Sequence, residues 1–160
     1  MNLENIDIVK ISESNYKIYQ LDKSIGKRSN LDLEFDGISS PFGLEEFYHV
    51  YYINWEIDSL TLQILSNLEL EFKDIVLESN SKYNSWSWIS NIKERKGFSP
   101  LLKTRIPQCR GKFQVETTDS KSLYELDYKS KLKIKVTLDS IWFNEKNKTF
   151  GLLWFSKTIY

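Results

Sequence analysis

The stretch KLKIKVTLDSIWF, residues 131–143, alternates lysine with aliphatic side chains and therefore predicts a β-strand with one buried face. Simple alternation puts four aliphatic residues on the core side: Leu132, Ile134, Val136 and Leu138. The lysines then share the outer face at intervals of about 6.8 Å: Lys131, Lys133 and Lys135. Such a row can follow the phosphates of an extended nucleic-acid strand, or it can protect an edge strand from aggregation.

The alternation in this strand breaks after Asp139 and Ser140, because the apolar positions change parity at Ile141. A β-bulge at this point would suit the corner of a barrel. It would also turn Trp142 relative to the lysine face.

Period-two patterns dominate the rest of the chain, with strands predicted over 5–11, 15–21, 31–35, 47–57, the second half of 60–77, 111–118, 131–143 and 149–159. The last two strands form a hairpin about residues 144–148. A short helix is predicted over 84–97, where Trp86, Ile89 and Lys93 share a helical face, and residues 98–110 are predicted to be a loop. We therefore expect a mainly β fold, an OB-like closed or nearly closed barrel with one short helix.

Length and composition indicate one domain over residues 1–160, with an N-terminal β extension (1–45) and the barrel (46–160). No run of about 18 apolar residues predicts a membrane span, and no secretory signal pattern is present. Cys109 is the only cysteine, which excludes an internal disulfide. We expect a cytoplasmic protein without a cofactor and without a membrane partner.

The formal net charge of zero hides an asymmetry between the two halves of the chain. Residues 1–80 hold 6 basic and 15 acidic side chains, and residues 81–160 hold 16 basic and 7 acidic ones. Such asymmetry points to a polyanionic partner. It can also be neutralised when one half folds against the other.

Catalysis is not indicated by the sequence, so we expect a protein that is not an enzyme. His49 is the only histidine and lies in an aromatic stretch, which is typical of a packed residue. No nucleophile elbow or phosphate loop is present. Glu69, Glu71 and Lys73 would share one face of a predicted strand, as in a metal-dependent nuclease, but a solvated strand face is the favoured interpretation.

Basic and aromatic residues are more informative, because they concentrate in one part of the chain. The basic residues between 93 and 112 are Lys93, Arg95, Lys96, Lys103, Arg105, Arg110 and Lys112. Proteins that hold single-stranded nucleic acid combine such charges with exposed rings, and each stacked base contributes roughly 1–3 kcal/mol. Trp86, Trp88 and Trp142 adjoin polar or basic segments, so at least one is expected to face the ligand. Trp55 and Trp154 are predicted to be buried.

Two segments, SPLLKTRIPQCRGKFQVETTD from residue 99 and YKSKLKIKVTLDSIWFNEKNKTFGLLWF from residue 128, carry a family resemblance. They resemble small OB-fold single-stranded DNA-binding proteins of large DNA viruses and of the linear plasmids of yeast cytoplasm, over roughly residues 99–155. The resemblance implies sequence-independent coating of displaced strands during DNA replication. Replication proteins and a homo-oligomer are possible further partners.

Two other functions stay open at this point. One is a β-rich structural or assembly protein whose acidic and basic halves pair between subunits. The other is an RNA-binding module, since stacking and phosphate contacts do not by themselves separate RNA from DNA.

Overall fold

The computed structural model describes residues 3–117, 122–126 and 129–160. Within these residues one α-helix, α1 (Ser59–Ser79), accompanies fourteen strands. The strands are β1 (Ile6–Ser12), β2 (Asn15–Asp22), β3 (Lys27–Ser29), β4 (Leu31–Ile38), β5 (Leu44–Phe47), β6 (Val50–Glu56), β7 (Ser87–Ile89), β8 (Ile92–Arg95), β9 (Phe98–Arg105), β10 (Gln108–Cys109), β11 (Lys112–Phe113), β12 (Glu116–Thr117), β13 (Leu132–Asn144) and β14 (Thr149–Ile159). Short 3-10 helices cover Leu3–Asn5, Ser81–Ser85 and Leu123–Glu125. The prediction of a mainly β chain is confirmed.

Twelve of these strands form one sheet, whose main path runs β1-β2-β13-β14-β9-β6-β5. Five strands join it at the sides: β3 pairs with β2, β4 with β13, β7 and β12 with β14, and β8 with β9. Strands β10 and β11 form a separate hairpin. No closed barrel is found among the described residues.

Strand β13 organises the sheet because it changes partner along its length. Its first part pairs with β4, and Ser140 to Trp142 pair with β2 instead. The register against β14 shifts between Leu138 and Ser140, so the predicted bulge is confirmed. After the shift, Ile141 and Phe143 face the core, which leaves the half-buried Trp142 on the outer face. The predicted hairpin about residues 144–148 is also confirmed.

The core contains the side chains that alternation placed there. Ile134, Val136 and Leu138 are fully buried, while Leu132 is half-buried. Trp55 and Trp154 are buried as predicted. The Trp55 indole donates to the hydroxyls of Thr104 at 3.0 Å and Ser156 at 3.3 Å, and those two hydroxyl oxygens lie 2.7 Å apart. This buried network satisfies the polar side-chain atoms of Trp55, Thr104 and Ser156.

Helix α1 corrects the prediction of a strand in the second half of 60–77. The Asp58 carboxylate caps its first turn by accepting from the Thr61 backbone N–H at 2.7 Å. Its buried positions recur at helical spacing: Leu65, Leu68, Glu69, Phe72 and Val76. The alternating residue Leu70, which favoured a strand, is 55% exposed.

The predicted helix over 84–97 is wrong, since this segment contains β7 and β8. Trp88 pairs with Phe150 in the parallel ladder between β7 and β14, a contact remote in sequence that local periodicity does not reveal. The predicted loop over 98–110 is also wrong, because β9 pairs with both β6 and β8. The strand predicted over 111–118 is reduced to the two-residue strands β11 and β12, and residue 118 lies outside the described residues.

No helix in the described part of the chain is long and apolar enough to cross a membrane.

Candidate nucleic-acid interface

The β8–β9 hairpin gathers five of the predicted binding residues on one element: Lys93, Arg95, Lys96, Lys103 and Arg105. The chain reverses between the two strands at Lys96 and Gly97, where Gly97 has a φ of 79°. Strand β9 continues into the sheet through β6 and β14. Lys103 and Arg105 therefore belong to a strand that is fixed within the sheet.

Cations and aromatic rings lie side by side on the outer face of β9. Tyr52 is paired with Arg105, and Asn54 is paired with Lys103, so these side chains share a face. The Lys103 ammonium lies 4.0 Å from the centroid of the Tyr52 ring. Phe155 of β14 is paired with Arg105 on the other side. The contact between Lys103 and Tyr52 is a cation–π interaction, which holds the Lys103 ammonium on the outer face of the sheet.

Lys93 lies on this same face, because it is paired with Leu101, two residues before Lys103 in β9. We call Lys93, Lys103 and Arg105 the β9 cation track. All three side chains are exposed. Strand geometry spaces Lys103 and Arg105 by about 6.8 Å along β9.

The β9 cation track is not neutralised by the chain itself. Within the described ranges, seven exposed cations of the predicted site form no ion pair: Lys93, Lys96, Lys103, Arg105, Arg110, Lys112 and Lys131. Arg95 differs, because its guanidinium pairs with Glu56 at 3.1 Å and donates to the Ser99 carbonyl at 3.0 Å. Arg95 therefore has a structural role between β8 and β6.

Two of the three lysines that the sequence places on the outer face of the strand over 131–143 are paired within the chain. Lys133 and Lys135 both reach the Glu34 carboxylate, at 3.4 and 3.0 Å. Hydrogen bonds lower the pKa of Glu34 below its ordinary value, with the larger contribution from Lys135 and a smaller one from Lys133. The Lys131 ammonium lies 3.5 Å from the Ser39 hydroxyl. Glu34 of β4 therefore neutralises part of the positive charge of the lysine face that the sequence predicts.

Ion pairs between the two halves of the chain reduce its charge asymmetry. Besides Glu34, the carboxylates of Asp32 and Glu56 bind cations from residues 81–160. The Asp32 carboxylate lies 2.7 Å from Lys157 and accepts from Thr137 at 2.6 Å. Folding thus neutralises part of the basic half and leaves the β9 cation track without an acidic partner among the described residues.

The candidate stacking tryptophans do not lie on the cation track. Trp86 and Trp88 are half-buried and pack against the core, Trp88 edge-on to Phe150 at 5.3 Å. The ammonium groups of Lys82 and Lys148 lie 5.6 and 5.2 Å from the Trp86 ring. Both rings therefore contribute to the fold.

Trp142 lies on the outer face of β13, where it is paired with Gly151 of β14. Its indole N–H donates to the Leu152 carbonyl at 3.2 Å. Phe155, beside the cation track, is four residues farther along β14, about 13 Å by strand geometry. Trp88 and Trp142 therefore lie at the same end of β14 but on different faces of the sheet, and Trp142 lies apart from the track.

The remaining predicted cations, Arg110 and Lys112, lie on the β10–β11 hairpin. Arg110 and Gly111 form its turn with φ of 51° and 74°. The Gln108 side chain donates to the His49 carbonyl at 3.3 Å and so connects this hairpin to the β5–β6 turn.

The β5–β6 turn carries exposed residues that the sequence analysis placed inside a strand: Phe47, Tyr48 and His49. No glycine, asparagine or proline marks this turn, so the only signal available was a polar histidine interrupting an aromatic run. A groove of about 360 Å³ separates the turn from Lys103, lined by Glu45, Glu46, Phe47, Tyr52, Asn54 and Lys103.

The nuclease-like arrangement is wrong, because helix α1 turns Glu69 inward and leaves Glu71 exposed. The Glu69 carboxylate instead accepts from the Ser90 hydroxyl at 2.5 Å and the Asn91 backbone N–H at 3.0 Å.

The outer face of β8 and β9 carries cations without an ion-pair partner in the described ranges, and it can hold an extended anion beside aromatic rings. Comparison with models of known protein families and with curated proteins finds no match for this chain.

Proposed function

We propose that this protein binds single-stranded DNA without sequence preference, and that the β9 cation track contacts its phosphates. The observation that carries the proposal is the exposure of Lys93, Lys103 and Arg105 on one face of the β8–β9 hairpin without an ion-pair partner in the described ranges. Cations in this state release the counterions of a nucleic acid when they bind its phosphates. The biological role would be to coat displaced strands during replication, without catalysis.

A single strand fits this surface better than a duplex for a geometric reason. The track lies on two adjacent strands of the sheet, β8 and β9, and the Tyr52 and Phe155 rings lie beside it. Unpaired bases can stack on aromatic side chains next to a phosphate track, whereas the bases of a duplex are already stacked on one another. The mixture of rings and cations therefore favours single-stranded over double-stranded DNA.

An OB-like, nearly closed arrangement is part of the proposal. Strands β4, β13, β14, β9 and β6 follow one another by pairing. An isolated antiparallel bridge between Ser39, just after β4, and Glu56, at the end of β6, connects the last of these strands back to the first. Five strands linked in this way match the strand number of an OB-fold, whose outer face binds oligonucleotides.

Self-association through oppositely charged halves has weaker support. Asp32, Glu34 and Glu56 of the acidic half already bind cations of the basic half within one chain. These carboxylates would have to leave their partners before they could pair with another subunit.

The direct test is a titration of tryptophan fluorescence or oligonucleotide anisotropy with oligo(dT), oligo(U) and duplex DNA over a series of salt concentrations. We expect the tightest binding to oligo(dT) and a linear fall of log K with log salt, with a slope of about −0.7 per phosphate contact. Absence of binding at low salt, or preference for the duplex, would refute the proposal. A preference for oligo(U) would indicate an RNA-binding protein instead.

A further inference from the structure

The turn between β5 and β6 has an unusual composition for its backbone geometry. Tyr48 and His49 are its two central residues, with φ of 48° and 62°. Two consecutive positive φ values are the signature of a type I′ turn, for which Asn-Gly is the preferred sequence. Side chains with a Cβ disfavour the left-handed conformation. Tyr48 and His49 therefore occupy a turn for which more stable residues exist.

The side chains of this turn project into solvent. Phe47 is 66% exposed, Tyr48 is 83% exposed, and the His49 side chain is 97% exposed. The rings of Phe47 and Tyr48 contact each other at 4.4 Å between centroids and 81° between planes. Together these residues form the aromatic tip: Phe47, Tyr48 and His49. Its two large rings are packed on one another rather than on the core.

Cations flank the aromatic tip on two sides. The β10–β11 hairpin, joined to it by the Gln108–His49 hydrogen bond, presents Arg110 and Lys112. Across the 360 Å³ groove lies Lys103 of the β9 cation track. Two carboxylates also line this groove: Glu45 accepts from the Asn54 amide at 2.5 Å, and Glu46 lies 3.5 Å from His49. The tip is therefore an aromatic projection between two segments that carry exposed cations.

We propose that the aromatic tip is the stacking site for nucleobases of the DNA strand whose phosphates lie on the β9 cation track. This inference rests on the proposed function and names the residues that perform its stacking. A ligand that is anionic along its backbone and aromatic along its side matches cations on both flanks and rings between them. The unfavourable turn sequence is then explained by binding, since the residues that would stabilise the turn have no ring.

The decisive variant replaces Tyr48→Asn and His49→Gly together, which installs the preferred type I′ sequence and removes the phenol and imidazole rings of the tip. We expect this variant to unfold at the same or a higher temperature than the parent. We expect it to bind oligo(dT) about 5- to 150-fold more weakly, the range for the loss of one base stack. Tyr48→Phe retains the ring and should retain parental affinity.

An abasic oligonucleotide of equal length separates stacking from a structural role, because it has phosphates but no bases. The parent should prefer oligo(dT) over the abasic strand, and the double variant should lose most of that preference. Phe47→Ala leaves the two turn residues unchanged and should also reduce the preference.

Undiminished oligo(dT) affinity in both the double variant and Phe47→Ala would overturn the inference while leaving the proposed function intact. Absence of oligo(dT) binding by the parent would overturn the proposed function and the inference with it.

Discussion

Trp142 packs against Gly151 so closely that no side chain fits between the two strands. A Cβ atom on Gly151 would lie 3.1 Å from Cζ2 of Trp142 and 2.5 Å from the carbonyl oxygen of Ile89. Both neighbours belong to strands paired with β14, namely β13 and β7. The glycine thus permits β7 to approach β14 beneath the indole.

Gly151→Ala is therefore expected to destabilise the protein by about 1–3 kcal/mol, the usual cost of overpacking. Urea unfolding measures the free energy. The double variant Gly151→Ala with Trp142→Ala should not recover the loss, because the closer obstacle is the Ile89 backbone. Full recovery in the double variant would show that the indole alone limits the space.

Much of the sheet could be predicted from the sequence because its strands have one buried and one exposed face. In β13 this pattern located both the core residues and the bulge before Ser140. The sequence predicts a strand in place of part of helix α1 because the helix buries a charged residue, Glu69, and exposes an apolar one, Leu70. The Glu69 contacts with Ser90 and Asn91 compensate for that burial, and they connect residues about 20 positions apart.

The candidate site was predictable in composition but not in arrangement. The cations near Lys103 were recognised from their density in the sequence. The ion pairs of the predicted cations could not be recognised in this way. The contact of Lys135 with Glu34, for example, depends on the register of β13 against β4. The turn at Tyr48 was missed because its residues lack the usual turn preference.

Removal of two track charges, in Lys103→Ala with Arg105→Ala, is expected to weaken oligo(dT) binding for every base composition. The slope of log K against log salt should become shallower by about 0.7 for each phosphate that the variant no longer binds. Anisotropy titrations at four or more salt concentrations measure the slope.

Lys23→Ala with Lys27→Ala is a matched control for that change. It removes the same charge from exposed residues at the β2–β3 turn, which is separated from β9 by β13 and β14 in the sheet. This control should change affinity less and should preserve the slope. Equal slopes for the two double variants would mean that only net charge matters.

Glu34→Gln is expected to destabilise the protein in a pH-dependent way. The hydrogen bonds from Lys135 and Lys133 lower the pKa of Glu34 in the folded state. A lowered carboxyl pKa stabilises the fold above the ordinary value of about 4.3, and this contribution is lost as pH falls through the lowered pKa.

Thermal unfolding of parent and Glu34→Gln at low ionic strength tests this expectation, since salt screens exposed pairs. The parent should have the higher Tm at pH 7, and the difference should shrink as the pH falls below about 4. A difference independent of pH would assign the role of Glu34 to neutral hydrogen bonding.

Trp142→Ala is expected to affect binding only when the oligonucleotide is long. Trp142 shares the outer face of the sheet, but Gly151 beneath it is about 13 Å from Phe155 by strand geometry. A strand of roughly 4 nucleotides, the lower end of OB-fold site sizes, would cover the β9 cation track alone, whereas one of roughly 16 would extend to the indole. The long strand should therefore lose about 1–3 kcal/mol of binding free energy on substitution, and the short strand should lose none.

The same substitution should also reduce folding stability, but by less than the roughly 3–5 kcal/mol expected for a fully buried ring, because the Trp142 indole is half-buried. Affinity titrations with both lengths, together with urea unfolding, distinguish the outcomes. Equal losses for the two lengths would place Trp142 in the central site, and no loss for either would leave it a purely structural residue above Gly151.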